Sequence, residues 1–175
     1  MTRKPGHSPA AGRPRGAVGQ FYAKALAIEA EAATRYRALA RAMQASDNPR
    51  TAALFLKLAK FEAAHADKLK DLAAAAKLSP RTRDRILSRD AGRTEVPNYQ
   101  FLYRHVPPQH ALLMALESER RAKTYFEGIR AKTADPTIRK LAAEFAREEA
   151  QHALWIEEAL ARQPVSPSDE FYKLP

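Results

Sequence analysis

The sequence predicts an all-α fold, a four-helix bundle made of two helical hairpins joined by a long crossover. Alanine, leucine and charged residues are abundant among its 175 residues, which favours helices. Four stretches repeat apolar residues every three or four positions, the spacing of one buried helix face. The two halves also match, because three residues recur 87 positions later in the chain. They are Pro49, Glu62 and His65 in the first half, and Pro136, Glu149 and His152 in the second.

The first half of the chain is predicted to contain a tail and a helical hairpin. Residues 1–17 hold four basic residues and no acidic one among Pro, Gly and Ser, so we expect a disordered basic tail. The first helix is predicted over residues 18–45, because turn-forming residues follow it. Asp47 or Asn48 can cap the second helix, and the next proline suits its first turn. This helix is predicted over residues 49–78.

The second half is predicted to begin with the crossover, residues 79–107, which lacks a sustained period and contains three prolines. A third helix is predicted over roughly 108–132. Asp135 and the proline after it repeat the capping device and start the fourth helix, which is predicted to end near Arg162. Residues 163–175 also contain three prolines and are expected to be an irregular tail. Residues 18–162 therefore form one predicted bundle.

The helices that precede the Glu-x-x-His motifs also correspond to each other. Glu29, Ala32 and Tyr36 match Glu119, Ala122 and Phe126 at a distance of 90 positions. The difference of three residues between the two distances can be absorbed in the helix–helix turns. Two repeated hairpins and a long crossover are typical of a bundle of the ferritin type.

Composition excludes several classes of protein. The chain has no cysteine, so disulfides, thiolate metal sites and cysteine nucleophiles are excluded. No run of about 18 apolar residues is present, and no apolar stretch follows the basic N-terminus within signal-peptide range. We therefore expect a cytoplasmic protein that does not interact with a membrane.

The net charge of +10 allows an acidic partner. Part of this charge lies in the tail, and part lies at 80–106, where arginines outnumber acids. Binding of nucleic acid or of an acidic surface is one interpretation. A solvated basic surface is favoured, because the arginines are not interleaved with aromatic residues.

Six polar side chains fall on helix seams that are otherwise apolar. They are Glu29, Glu62, His65, Glu119, Glu149 and His152. The two residues of each Glu-x-x-His motif are one turn apart and share a helix face. Because burial of unpaired carboxylates is costly, these groups must be neutralised, paired or bound to metal. Four carboxylates and two neutral imidazoles offset the charge of two divalent cations, and their chemistry suits iron or manganese.

The spacing of three and four residues along each buried helix face, which we call the seam test, also separates these six residues from neighbouring acids. Glu31, Glu117 and Glu148 would bring charged or polar residues onto the seam, so they are assigned to flanking or exposed faces. Tyr36 lies seven residues after Glu29 on the same seam. It is interpreted either as a hydrogen-bond donor or redox-active group beside the metals, or as a core packing residue.

With these motifs the chain resembles the rubrerythrin-like branch of the ferritin-like di-iron carboxylate proteins. The matching segments are 28–36, 62–65, 116–126 and 148–152, and the resemblance covers roughly 20–162. It implies a non-haem centre of two iron ions that reacts with dioxygen or hydrogen peroxide, in a homodimer or higher homo-oligomer. It further implies the ligand roles: Glu62 and Glu149 bridge the irons, Glu29 and Glu119 are terminal, and His65 and His152 bind one iron each.

Two departures from this family pattern affect the expected function. Rubrerythrins carry a rubredoxin-like domain with four cysteines, whereas this chain has none and would need an external electron donor. Ala122 stands where rubrerythrins have an additional carboxylate. The remaining set of four Glu and two His is more similar to that of bacterioferritins.

We therefore predict a di-iron oxidoreductase that reduces hydrogen peroxide or dioxygen with an external electron donor. One alternative is a ferroxidase in iron storage or detoxification. A second is a hydroxylase of an organic substrate or a modified tRNA base. A third, without catalysis, is a basic bundle that binds nucleic acid or an acidic partner.

Overall fold

The computed structural model describes residues 15–76, 103 and 106–163, and side chains from Val18 onwards. Within these ranges all regular structure is α-helical. The four helices are α1 (Arg15–Ala45), α2 (Pro49–Ala75), α3 (Pro108–Lys132) and α4 (Pro136–Ala161). The prediction of an all-α four-helix bundle is confirmed.

The helix boundaries differ from prediction by three residues at two places. Helix α1 begins at Arg15, so residues 15–17 belong to the helix and not to the predicted tail. Helix α2 ends at Ala75, because Ala76 adopts an extended conformation with φ −66° and ψ 137°. Residues 1–14, most of the predicted crossover and 164–175 lie outside the described residues.

In the turn between α1 and α2, Asp47 and Asn48 have different roles. The side chain of Asn48 accepts a hydrogen bond from the backbone N–H of Thr51 at 3.2 Å, which caps α2. Asp47 has a φ of 54°, in the left-handed region that Asp tolerates better than most residues. The two candidate caps are thus distinguished, and Asn48 is the cap.

Helix α4 begins with the same device. One carboxylate oxygen of Asp135 accepts hydrogen bonds from the backbone N–H groups of Thr137 at 2.9 Å and Ile138 at 3.3 Å. Pro136 occupies the first turn, where its missing N–H is not needed. This fixes the start of the helix that carries Glu149 and His152.

Two apolar clusters fill the bundle, one towards each end. We call them the Phe55 cluster and the Phe145 cluster. The Phe55 cluster includes Leu39, Met43, Phe55, Leu58, Leu112 and Ile156. The Phe145 cluster includes Leu26, Leu69, Phe126, Leu141 and Phe145. Each fully buried Leu or Phe side chain stabilises the fold by about 1.5–3 kcal/mol.

The membership of these clusters gives the helix directions. The Phe55 cluster combines the second half of α1 with the first halves of α2 and α3 and the second half of α4. Helix α1 is therefore antiparallel to α2 and α3 and parallel to α4. The end of α2 and the start of α3 consequently lie at opposite ends of the bundle, as the predicted crossover requires. The described residues Tyr103 and Val106 pack on the Phe55 cluster, just before α3.

None of the helices in the described part of the chain combines the length and the apolar character that a bilayer-spanning segment needs.

Candidate metal centre

Six ionisable side chains from all four helices meet between the two apolar clusters, and each is at most 7% exposed. Helix α1 supplies Glu29, α2 supplies Glu62 and His65, α3 supplies Glu119, and α4 supplies Glu149 and His152. These are the six residues that the seam spacing selected. The structure brings all of them together, and their role as metal ligands stays a prediction.

The local sequence explains why these polar groups point inward. On α2, Leu58 and Leu69 are fully buried on the same seam as Glu62 and His65. Rotation of α2 that brought this face to solvent would expose both leucines. The polar pair between them is therefore buried together with them. Phe145 and Ile156 hold the motif of α4 in the same way.

Both histidines direct the Nδ1 atom at the carboxylates. Nδ1 of His65 lies 3.4 Å from Glu29 Oε2 and 3.7 Å from Glu62 Oε2. Nδ1 of His152 lies 2.9 Å from Glu62 Oε1, 3.4 Å from Glu119 Oε2 and 3.5 Å from Glu149 Oε2. The two imidazole rings stack, with centroids 5.7 Å apart and planes 15° apart.

The ligand atoms form two sets whose members lie within 4.8 Å of one another. One set contains Glu29, Glu62, His65 and Glu149, and the other contains Glu62, Glu119, Glu149 and His152. Glu62 and Glu149 belong to both sets. Two ligand sets that share two carboxylates and have one histidine each could hold two cations next to each other.

Burial and mutual contact shift the pKa values of the cluster residues in opposite directions. Burial, followed by contact with Glu62, raises the pKa of Glu29 well above its ordinary value. Burial also raises the pKa of Glu149, and the neighbouring acids add to this effect. Burial alone would raise the pKa of Glu62, but contacts with His152 and His65 outweigh it and lower the pKa to about 2. Burial opposes charge on His152, yet contacts with three carboxylates raise its pKa to about 12.

Hydrogen bonds do not relieve this burial. Both carboxylate oxygens of Glu29 and of Glu149 are inaccessible and lack a hydrogen-bond partner among the described residues. One atom of each remaining residue also lacks a hydrogen bond of favourable geometry: Glu62 Oε1, His65 Nδ1, Glu119 Oε2 and His152 Nδ1. Of these atoms, His152 Nδ1 and Glu62 Oε1 are close enough, at 2.9 Å, to interact as an ion pair. Native proteins leave few buried polar groups unsatisfied. Orphaned oxygen and nitrogen atoms that converge on one point are what a bound cation would satisfy.

Comparisons with known proteins agree with this geometry. A protein-family model described as rubrerythrin matches residues 20–96. A crystal structure of an uncharacterized conserved protein from Magnetospirillum magnetotacticum MS-1 is similar to the chain, with 33% sequence identity and a TM-score of 0.68. The match covers 85% of this chain and 97% of that chain. No protein in the curated set matches significantly.

The chain belongs to the rubrerythrin-like family of ferritin-type proteins. The resemblance inferred from the motifs is confirmed. Family membership and the buried cluster of carboxylates and histidines together fit a di-iron site.

The acids beside the rubrerythrin-like cluster differ in their distance from it. Glu31 and Glu117 have half-exposed side chains on the outer faces of α1 and α3, where they approach Arg35 at 3.9 Å and Arg121 at 3.3 Å. Glu148 is closer to the cluster: its Oε2 atom is buried and lies 3.3 Å from His65 Nε2. The seam test assigned Glu148 to a flanking face and did not detect this contact. The position of Glu148 directly before the Glu-x-x-His motif is the sequence feature that could have indicated this contact.

The two histidines of the rubrerythrin-like centre have different surroundings. Phe145 packs edge-on against His65 with centroids 5.2 Å apart. The ring of His152 lies 5.5 Å from Phe61 and 5.4 Å from Trp155. The spacing of residues along the sequence did not predict that these aromatic side chains pack against the histidines.

Tyr36 is fully buried in the Phe55 cluster. Its ring stacks on Phe55, with centroids 5.9 Å apart. The guanidinium group of Arg35 lies over the Tyr36 ring, 5.6 Å from the ring centroid. Its hydroxyl group has no hydrogen-bond partner among the described residues. Both interpretations of Tyr36, hydrogen-bond donor and packing residue, agree with this position.

Proposed function

We propose that the protein is a di-iron oxidoreductase that reduces hydrogen peroxide or dioxygen with electrons from an external donor. One observation carries the proposal: two sets of buried ligand atoms share Glu62 and Glu149 and differ in their histidine. Such a site suits two cations about 3.5–4 Å apart, the spacing of two-metal centres.

The ligand residues have separate tasks in this proposal. Glu62 and Glu149 would contact both metal ions, Glu29 and His65 would complete one position, and Glu119 and His152 the other. Four carboxylates offset the charge of two divalent ions, so the loaded site can be neutral within the apolar bundle. Carboxylates and imidazoles are ligands that suit iron and also manganese.

The redox balance defines what the protein needs from outside. Two ferrous ions supply two electrons together, so one hydrogen peroxide and two protons become two water molecules. The chain has no cysteine and therefore no thiolate-bound redox centre of its own. An external electron donor must return two electrons in each cycle. Apolar clusters on both sides of the site exclude bulk water from it.

Tyr36 is proposed to donate a hydrogen bond towards the centre, because its buried hydroxyl has no described partner. In the Tyr36→Phe variant we expect unchanged metal content and slower oxidation of the reduced protein. Equal oxidation rates in wild type and variant would make Tyr36 a packing residue only.

The decisive experiment is an anaerobic Fe(II) titration with metal counting, followed by separate additions of hydrogen peroxide and dioxygen while absorbance is recorded. We expect two irons per chain and faster oxidation by peroxide. Glu62→Ala should lose the binding. Glu117→Ala, which changes a glutamate with a 60% exposed side chain, serves as the matched control and should bind like wild type. A stoichiometry near zero in wild type would remove the proposed centre.

A second function, ferroxidase activity, is favoured by Ala122. This partly buried residue occupies the place of the additional carboxylate in rubrerythrins, which leaves four glutamates and two histidines. Excess Fe(II) under dioxygen distinguishes the two functions. Continued oxidation of many irons per chain supports the ferroxidase, whereas a single oxidation of two irons supports the proposed peroxide or dioxygen reductase.

A further inference from the structure

We propose that the two metal positions are unequal, and that Glu148 makes the position at His65 the tighter one, which fills first. The inference rests on the proposed metal centre and concerns how its two halves differ. Glu148 acts here as a positioning residue, because it contacts a ligand and not the metal.

The internal repeat provides the comparison. Phe61 and Glu148 are 87 positions apart, and each directly precedes the glutamate of a Glu-x-x-His motif. Each side chain also reaches across to the histidine of the other hairpin: Phe61 contacts His152 on α4, and Glu148 contacts His65 on α2. The two positions are therefore equivalent in the fold, but one holds an aromatic ring and the other a carboxylate.

Glu148 can orient His65 for metal binding. Because Nδ1 of His65 faces the buried acids, a cation bound there leaves the proton of the neutral imidazole on Nε2. That atom lies 3.3 Å from the buried Oε2 of Glu148, an oxygen that has no hydrogen-bond partner among the described residues and is therefore available to accept the proton. A carboxylate that accepts the outer N–H of a ligating histidine fixes its tautomer and makes its other nitrogen a stronger ligand.

His152 has no equivalent support. Among the described residues, the carboxylates within ion-pair distance of His152 all face Nδ1. Its ring is packed by Phe61 and Trp155, which offer no carboxylate acceptor. Lys57 adds a positive charge on this side, with Nζ 3.3 Å from the centroid of the Trp155 ring.

The nearest lysine on the other side does not cancel this difference. Lys68 lies 5.6 Å from the centroid of Phe145, the ring that packs against His65. It forms a salt bridge with Glu144, which offsets its charge. The carboxylate of Glu148 therefore adds negative charge beside one half of the site, whereas Lys57 adds positive charge beside the other half.

The test is an anaerobic titration of the full chain with Co(II), whose visible spectrum reports each coordination site, repeated with ⁵⁷Fe(II) and Mössbauer spectroscopy. In wild type we expect two binding steps and, below one equivalent, a single iron signal. Glu148→Ala should weaken the first step by about 10–100-fold, the usual effect of losing such a support, and give two signals from the start. Glu148→Gln, which keeps an acceptor without the charge, should fall between the two.

A reciprocal variant keeps the proposal testable if Glu148→Ala does not fold. Phe61→Glu should strengthen the second step and make the two positions more similar, while the exposed Glu117→Ala control should not change either step. Two equal steps in wild type, or unchanged steps in Glu148→Ala, would overturn the inference while two metals still bind. Loss of all metal binding in wild type would instead overturn the proposed centre.

Discussion

Glu29 is the most completely buried of the cluster acids, with 0% exposure, and neither of its oxygens has a described hydrogen-bond partner. Burial, followed by contact with Glu62, raises its pKa well above the ordinary value, which favours the neutral acid in the folded protein. In the unfolded chain the same group ionises at its ordinary pKa of 4.5. At pH values between these two pKa values, folding without metal is therefore coupled to proton uptake.

The Glu29→Gln variant removes this requirement. A raised folded-state pKa gives a stability contribution that is present below 4.5 and is lost as pH rises through the raised pKa. Glutamine is neutral at every pH, so metal-free Glu29→Gln should be more stable than wild type at pH 7. The difference should grow by about 1.4 kcal/mol for each pH unit above 4.5, until the pH reaches the raised pKa of Glu29. Denaturant unfolding of the metal-free proteins at several pH values measures this difference.

The advantage of Glu29→Gln should disappear near pH 4, where Glu29 is protonated in both states. Glu117→Gln is the exposed control and should be neutral throughout. Equal metal-free stability of wild type and Glu29→Gln at pH 7 would contradict the proposed burial cost. The variant should also lose metal affinity, because the carboxylate of a predicted ligand is replaced by a neutral amide.

Competition between protons and metal gives a second prediction at the residue scale. Glu29 and Glu149 have raised pKa values, and the pKa of His152 is raised to about 12, so these three groups hold protons that a cation must displace. Metal affinity should therefore increase with pH up to the raised pKa values of these groups, with up to three protons released per chain. Calorimetric titration with Mn(II) in buffers of different ionisation enthalpy measures the release. A pH-independent affinity would contradict the assignment.

At the scale of the helices, α4 depends on its cap. Asp135 accepts hydrogen bonds from two backbone N–H groups, and its negative charge lies at the positive end of the helix dipole. Asp135→Ala should therefore lower stability by about 1 kcal/mol and lower the melting temperature by a few degrees. Thermal unfolding followed by circular dichroism measures the change. Asp135→Asn, which keeps the acceptor, should lose less, and an equal loss in both variants would attribute the effect to charge.

The seams of the helices were predicted well from sequence. Leu26, Tyr36 and Met43 on α1 are all buried, as the spacing of three and four residues requires. The helix ends were less accurate at the start of α1 and at the end of α2, the latter although Pro80 follows the predicted end closely. Helix α3, which begins at a proline, starts at the predicted residue, whereas the end of α2 was displaced by three residues.

At the scale of the whole molecule, the centre links both hairpins. Each hairpin contributes two glutamates and one histidine, and Glu62 and Glu149 contribute to both cation positions. If the two ligand sets bind cations as proposed, unfolding must separate ligands of the same cation. A metal that binds the native state alone stabilises the entire bundle by mass action.

Metal loading should accordingly raise the melting temperature. At a free metal concentration 100 times Kd, one site adds about 2.7 kcal/mol, which corresponds to roughly 5–10 °C for a chain of this size. Anaerobic calorimetry with and without Fe(II) measures the shift. Glu117→Ala should show the same shift as wild type and Glu62→Ala should show none. A shift that persists in Glu62→Ala would locate the metal elsewhere.

The sequence by itself determined the four helices and the six inward side chains, because the spacing of residues along one helix defines its buried face. It left Asp47 and Asn48 as alternative caps of α2, and the structure identified Asn48. The tertiary structure decided which groups meet across hairpins. It placed Glu148 against His65 and Phe61 against His152, and it put Glu62 and Glu149 into both ligand sets. Such contacts depend on the rotation and offset of one helix against another, which the periodicity of a single helix does not contain.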